Sequence, residues 1–503
     1  GWRGASAEGR FGLTLYDAQD KPGTFLLDLA FANADARNSR VLSWLPTRVI
    51  DDEQLREWFG GDIGGIVKQG KLGLSVTLSD KEAPEGKMFV NPDDYFTLSL
   101  DVADGRLQYA PDWPALERVY GHLQMENMNL DADIEHATSH GLTTRNAVVK
   151  LADKQLTIDG DVDGSSGGVL DFLAHAPLES MSETFGRWQS EGAVNARLHV
   201  AMPMTDGSDA ETDMAVDIQG QIDAKRLTFP ELQLTLADIG GDLRYRREKG
   251  EDYVTGNLNA RAFDGPTQAH FNIGGYQNGS SGIAFEGEVQ GSGLLEWAGL
   301  GRVDGLLSGS FPYQGSMDFE DQGDSKNGAS LTLRSDLQGL EIALPPPFGK
   351  VPKSEEALTI DADIAAGTGS VTLGNWGRAR WRTIEDQAQG QVWLEGWPGK
   401  QAAWPSEPGW YVLWRPDRVD TQRWVQALTQ LEATDAASAP ENRLETTLED
   451  DVDNPDAQPV NEGGGLKRVA LSTPCILVKG RCLGGLQVDA APLEGHKYDA
   501  AVG

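Results

Sequence analysis

Apolar and polar residues alternate along most of the chain. From Phe96 to Val102, Phe96, Leu98, Leu100 and Val102 share one parity, and Thr97, Ser99 and Asp101 the other. A period of two is what a sheet with one apolar face requires. The alternation recurs at Leu27/Leu29/Phe31, Leu72/Leu74/Val76/Leu78, Val194/Ala196/Leu198/Val200, Val216/Ile218/Ile222, Leu232/Leu234/Leu236, Ile283/Phe285/Val289, Leu331/Leu333 and Leu358/Ile360/Ala362. Turn signals lie between such runs: Asp163-Gly164, Asp264-Gly265-Pro266, Asn278-Gly279 and Asp304-Gly305. Asp104-Gly105 reads as a type I′ hairpin that opens a second strand, Arg106–Tyr109. Pro111 and Pro114 stop that strand, because neither donates to a ladder. Trp113, between them, is expected to pack across the sheet end. Parity reverses between Met125 and Met128, which predicts a bulge.

Helical periods are few and short: Thr47–Phe59, Glu179–Trp188, Ser292–Ala298 and Arg418–Leu428. Each contains a Trp and reads as a plug against a sheet edge. The stretch from Leu431 to Gly465 carries about ten acidic residues, one Arg and almost no large apolar side chains. It buries too little to offset its ordering entropy and reads as a disordered insertion. The expected organisation is an all-β segment over 1–430, the acidic insertion, and a β continuation over 466–503.

Composition narrows the class. The 503 residues are 39% hydrophobic and include 60 Gly. That is about 12% Gly against about 7% in ordinary proteins, which suits short strands, many turns and a thin core. A formal net charge of −34 argues against nucleic acid, whose binding needs a basic face, and against adsorption to anionic membrane surfaces. Gly1 is no initiator Met and there is no apolar run near 18 residues, so the chain reads as a piece of something longer. Cys475 and Cys482 flank Lys479-Gly480; a hairpin disulfide and a pair of buried thiols both fit.

Catalytic signals fail. Gly164-Ser-Ser-Gly and Gly279-Ser-Ser-Gly do not match the nucleophile elbow GxSxG and read as turns. No phosphate-binding glycine loop follows a strand and opens a helix. The 77 acidic residues make chance carboxylate pairs common, so none stands out as an acid/base couple. The seven His show no ligand spacing with Cys or carboxylates along the chain, and no metal or cofactor is expected. The tryptophans concentrated over 376–424 suit packing at sheet ends better than a sugar platform. What remains is the apolar faces. A sheet with one greasy side must be roofed by a second layer, close on itself, or hold something apolar. Pattern alone favours a two-layer sandwich over an open trough for acyl chains.

Three sets of residues carry a resemblance. Leu107-Gln-Tyr109-Ala-Pro111-Asp-Trp113-Pro114-Ala-Leu116 is similar to the L-x-Y-x-P-x-W-P-x-L signature of the YhdP family, in the AsmA-like group that includes TamB. Ser335-Asp-Leu337-Gln-Gly339-Leu340, followed by Leu344-Pro-Pro-Pro-Phe-Gly-Lys350, resembles that family's S-x-L-x-G…LP-x-P-L-G-K element, with Phe348 where Leu is usual. Trp44-Leu45-Pro46, the Leu55–Phe59 helix, the Gly65–Leu78 strands and Thr473–Asp489 follow the family's order.

The resemblance implies a non-enzymatic interior fragment of a periplasmic, bridge-like lipid transfer protein. Such a protein is an elongated, twisted antiparallel sheet curved into an open apolar groove, with a few capping helices. It is tethered to the inner membrane by a helix outside this fragment and passes phospholipids toward the outer membrane, with other envelope proteins as further candidate partners. The groove-facing candidates are Leu72, Leu74, Val76, Leu78, Phe96, Leu98, Leu100, Leu232, Leu234, Leu236, Phe285, Val289, Leu331 and Leu333. Leu74→Asp or Leu234→Asp is then expected to block transport in a folded protein. The competing class is an all-β scaffold or binding module of the envelope, carbohydrate-binding or adhesive, with those faces as closed core.

Overall fold

The computed structural model describes residues 5–16, 22–35, 63–78, 89, 91–108, 113–177, 180–203, 214–230, 233–274, 281–297, 305–322, 325–364, 366–385, 387–399, 402–427, 429, 465–493 and 497–502. The expected helix Thr47–Phe59, the acidic stretch 431–464, the Asn278-Gly279 signal, Leu232, and Tyr109 and Pro111 of the family signature lie outside these residues. The described chain is nearly all β and divides into two compact units, Gly1–Leu258 and Asn259–Gly503.

The first unit holds β1 (Ser6–Thr14), β2 (Gly23–Asp35), β3 (Ile63–Leu78), β4 (Tyr95–Leu107), β5 (Leu116–Glu126), β6 (Asn129–Ser139), β7 (Leu142–Ala152), β8 (Gln155–Ser165), β9 (Gln189–Pro203), β10 (Ala215–Phe229) and β11 (Leu234–Glu248); β12 (Glu251–Ala262) crosses the unit boundary. From β1 to β11 each strand pairs antiparallel with the next. Helices α1 (Ser166–Ala174) and α2 (Ser180–Arg187) sit between β8 and β9.

The second unit holds β13 (Gly265–Ile273), β14 (Gly282–Gln290), α3 (Gly291–Trp297), β15 (Leu307–Ser308), β16 (Ser310–Gln322), β17 (Ser325–Ser335), β18 (Glu341–Ile342), β19 (Leu358–Asp363), β20 (Thr368–Leu373), β21 (Gly377–Ile384), β22 (Gln387–Leu394), β23 (Gly409–Trp414), β24 (Val419–Asp420), β25 (Leu466–Thr473), β26 (Ile476–Val478), β27 (Arg481–Cys482), β28 (Leu486–Leu493) and β29 (Lys497–Val502). Residues 421–427 are helical. The main pairing runs β13-β14-β16-β17-β19-β20-β21-β22-β23-β25-β28-β29. It is antiparallel except at β22–β23 and β23–β25, which are parallel. Parallel neighbours need a crossover, and 395–408 and 415–465 supply the two connections. In neither unit do the described strands close into a barrel.

Local chemistry explains where the strands turn. His140-Gly141, Asp153-Lys154, Lys249-Gly250, Phe263-Asp264 and Lys479-Gly480 each have positive φ at both residues and each separate two strands by two positions. That is the type I′ geometry, whose twist matches the strands it joins. Two Asp-Gly pairs do something else. Asp104-Gly105 does not end a strand: β4 runs through it, Asp104 takes φ 50°, and the register slips between Val102 and Gly105. The expected hairpin is a bulge. A Cβ on Gly65 would come within 2.8 Å of Gly105 Cα, so two backbones meet closely at this bend. Asp163-Gly164 likewise lies inside β8. Conversely, the parity change after Met125 is a turn at Asn127-Met128 (Asn127 φ 55°) with Glu126 paired to Asn129.

The helices cap strand ends, as their tryptophans suggested. Trp188, just after α2, meets Phe229 edge-on at 4.8 Å, and Trp297 of α3 meets Phe263 at 5.7 Å. The sequence pattern missed α1. Gly164-Ser-Ser-Gly is a strand-to-helix junction, where the Ser165 hydroxyl accepts the Gly168 N–H at 2.9 Å as an N-cap.

Candidate functional site

Antiparallel register places the apolar parity of every strand in the first unit on one face. One row of facing residues reads Ala7, Phe31, Gly70, Leu100, Leu123, Ala132, Val149, Ile158, Val200 and Val216, ending at Arg247 on β11. A neighbouring row reads Leu29, Leu72, Leu98, Met125, Leu130, Leu151, Leu156 and Met202. The second unit repeats the arrangement: Ala269, Phe285, Gly315, Leu333, Ile360, Val371, Ala379, Val392, Val412, Val469 and Ala490 follow one another across the sheet.

The opposite face is polar. In the first unit its pairs include Arg10–Asp28 at 2.6 Å, His122–Asp101 at 2.6 Å, Arg197–Asp161 at 3.2 Å and His199–Asp159 at 2.7 Å. Exposed pairs of this kind contribute little stability each. Their consequence is that the two faces differ sharply in chemistry.

The apolar face is unevenly covered. Leu72, Leu74, Phe96, Leu98 and Met125 are buried, with Phe89 of the β3–β4 connection packed on them. Farther along the rows, Leu130, Val149, Ile158, Leu198, Val200, Val216 and Ile218 are only half-buried. In the second unit Val289, Phe311, Tyr313, Leu337 and Leu340 form a buried cluster with Leu294 of α3 and Ile342 of β18. Phe271, Ile283, Met317, Leu331 and Ala362, in the row nearer the opposite strand ends, are half-buried. Among the described residues each unit therefore has a buried stretch and a half-buried one along its apolar face.

The candidate residues fall across this division. Leu72, Leu74, Phe96, Leu98 and Val289 are buried; Val76, Leu100, Leu234, Leu236, Phe285, Leu331 and Leu333 are half-buried; Leu78 is exposed. The half-buried positions of β6–β10 were absent from the candidates. Val148 and Val149 are both apolar, so parity alone does not choose between them, and Val149 takes the row through a slip in the β7–β8 register.

Glycines under aromatic rings level the face. A Cβ on Gly70 would lie 2.3 Å from the Phe31 ring, on Gly315 2.5 Å from Phe285, on Gly369 2.1 Å from Trp381, and on Gly390 2.2 Å from Trp410. Each ring lies across the neighbouring glycine, as in aromatic cover of strand glycines. Gly390→Val is expected to lift the Trp410 ring and cost about 1–3 kcal/mol, read in urea melts. The double variant with Trp410→Leu recovers most of that loss; equal losses in single and double variants would refute the contact.

Several polar groups near the face have partners. The Tyr245 hydroxyl, in register with Ile218, donates to Asp252 at 2.7 Å, and burial and that carboxylate push its pKa up to about 12. Burial raises Tyr313, whose hydroxyl lies 2.8 Å from Thr267 Oγ1. Lys350 is buried and donates to the carbonyls of Leu340 and Val351 at 3.1 and 3.3 Å; burial pulls its ammonium pKa down. It anchors the segment bearing Phe348, which sits among Trp376, Trp414 and Trp424 with ring centroids 5.0–5.9 Å away. These tryptophans pack a sheet end. Cys475 and Cys482 are joined in a disulfide, Cα–Cα 5.4 Å, across the β26–β27 hairpin.

A family model described as "YhdP protein" matches residues 4–490. The chain belongs to the YhdP family. A relative in Escherichia coli (strain K12), named "Intermembrane phospholipid transporter YhdP", is 23% identical over 381 residues. The match takes in 73% of this chain and 28% of the relative, so the chain spans little more than a quarter of that YhdP's length. That relative is named a transporter. Among the described residues no helix is long and apolar enough to cross a membrane.

Proposed function

We propose that this chain is an interior portion of a periplasmic bridge along which phospholipids pass between inner and outer membrane. The half-buried apolar rows would serve as the surface on which acyl chains travel. The observation that supports this reading is the register: rows of apolar side chains and glycines run from strand to strand, and among the described residues part of each row is only half-buried. Hydrocarbon exposed to water costs about 0.8 kcal/mol per CH₂, and a continuous apolar surface removes that cost at every step. The headgroup stays in water beyond the rim. Passage along such a surface is passive, so direction and energy come from elsewhere. The membrane tether lies outside this chain, and the acidic polar face keeps the body off anionic membranes.

Photo-crosslinkers at Ile158 and Val200, compared with the opposite-facing Asp159 and His199, test the proposal in the full-length protein carrying labelled phospholipid. Crosslinks at the first pair alone are expected, together with phospholipid retained in native mass spectra of the detergent-free protein. A lipid-free protein that crosslinks equally at both pairs, or at neither, would favour the scaffold reading.

A further inference from the structure

Among the described residues, His122 and His199 each face one strand carboxylate. At one strand end of the first unit the fold does something different and brings two imidazoles to a single carboxylate. His140 is the first residue of the two-residue β6–β7 turn, held at φ 47°. Asp171 lies in α1, and His175 is that helix's C-cap, four positions on. His140 Nδ1 is 2.8 Å from Asp171 Oδ2, and His175 Nδ1 is 3.3 Å from Asp171 Oδ1. The imidazole rings lie 4.5 Å apart, tilted by 32°.

We propose that His140, Asp171 and His175 form a site for a divalent transition metal of the zinc class, which ties α1 to the β6–β7 turn. One ligand atom from each of the three lies within 4.8 Å of the other two. Two imidazole nitrogens and one carboxylate oxygen suit a borderline cation, and three protein ligands leave a fourth position for water. The surroundings already orient a ligand. His175 Nδ1, the nitrogen that faces the Asp171 carboxylate, is also 2.8 Å from the Asp171 backbone carbonyl, which holds the ring against α1. Phe172 stands edge-on to His140 at 6.4 Å, with Trp113 6.1 Å beyond, giving the site an apolar flank. The ligands come from positions 31 apart in sequence, so a bound ion cross-links the helix cap to the sheet. This inference is independent of the lipid reading.

Titrating untagged, chelator-stripped protein with Zn²⁺ in a calorimeter tests it. One equivalent is expected to bind, with Co²⁺ giving tetrahedral visible absorption at the same stoichiometry. His140→Asn, Asp171→Asn and His175→Gln should each weaken Zn²⁺ at least tenfold; Asn is chosen at 140 because it accepts positive φ. His199→Ala should leave binding unchanged, and amide exchange across 166–175 should slow on metal addition in the unsubstituted and His199→Ala proteins but not in the three ligand variants. Thermal melts without metal show whether each variant is folded. Undiminished binding in a folded His140→Asn/His175→Gln double variant, or no uptake by the unsubstituted protein, would overturn the proposal.

Discussion

Val200→Asp is expected to reduce phospholipid passage by about a hundredfold or more while the protein stays folded. Val200 lies mid-row, facing Ile158 on one strand and Val216 on the other, and is half-buried. An Asp there keeps much of its water when no lipid is present, so the cost to folding is about 1–2 kcal/mol. A passing acyl chain must strip that water. Desolvating an ionised group costs several kcal/mol, and each 1.4 kcal/mol is a factor of ten in rate. The control is Asp159→Asn on the polar face, which should transport normally. Labelled-phospholipid transfer in the full-length protein, with a thermal melt alongside, is the measurement. Normal passage by a folded Val200→Asp protein would mean that lipids do not use this row.

Leu74 predicts the opposite pattern. It is 1% exposed, opposite Leu27 on one strand and Phe96 on the other, within the most sealed part of the first unit. Leu74→Ala should cost about 2–5 kcal/mol, the range for a leucine removed from a well-packed core. Leu74→Asp should unfold the region, because an unpaired carboxylate is buried with no partner. Urea unfolding followed by circular dichroism reads both. If Leu74→Asp melts like the unsubstituted protein, that cluster is open to water and the buried stretch is misassigned. The sequence pattern gives Leu74 and Leu234 one role. The structure separates them into a core residue and a half-buried one, so only the second remains a probe of transport.

Much of the apolar face was legible because sheets obey a period of two. Leu72/Leu74/Val76 and Phe96/Leu98/Leu100 share a face since successive side chains must alternate, and the capping tryptophans stood out because helical periods were rare. Turn chemistry was less legible. Asp104-Gly105 and Asp163-Gly164 resemble hairpins, yet they sit inside strands of 13 and 11 residues, while His140-Gly141 and Phe263-Asp264 turn. At Asp104 a positive φ serves a bulge and at His140 a hairpin, while Asp163-Gly164 keeps regular strand pairing, and only the pairing partner distinguishes the three.

The order of residues by itself determined an all-β chain with one greasy and one charged side to its strands, few helices, and membership of a recognisable family. Those properties follow from local alternation, glycine content and short motifs, all of which are written along one strand at a time. The tertiary structure alone decided which apolar residues are sealed and which are half-open, which glycines lie beneath Phe31, Phe285, Trp381 and Trp410, where β22, β23 and β25 run parallel, and that His140 meets Asp171 and His175. Each of these depends on register between segments distant in sequence. A shift of one residue exchanges the two faces of a strand, so no property of a single strand can specify it.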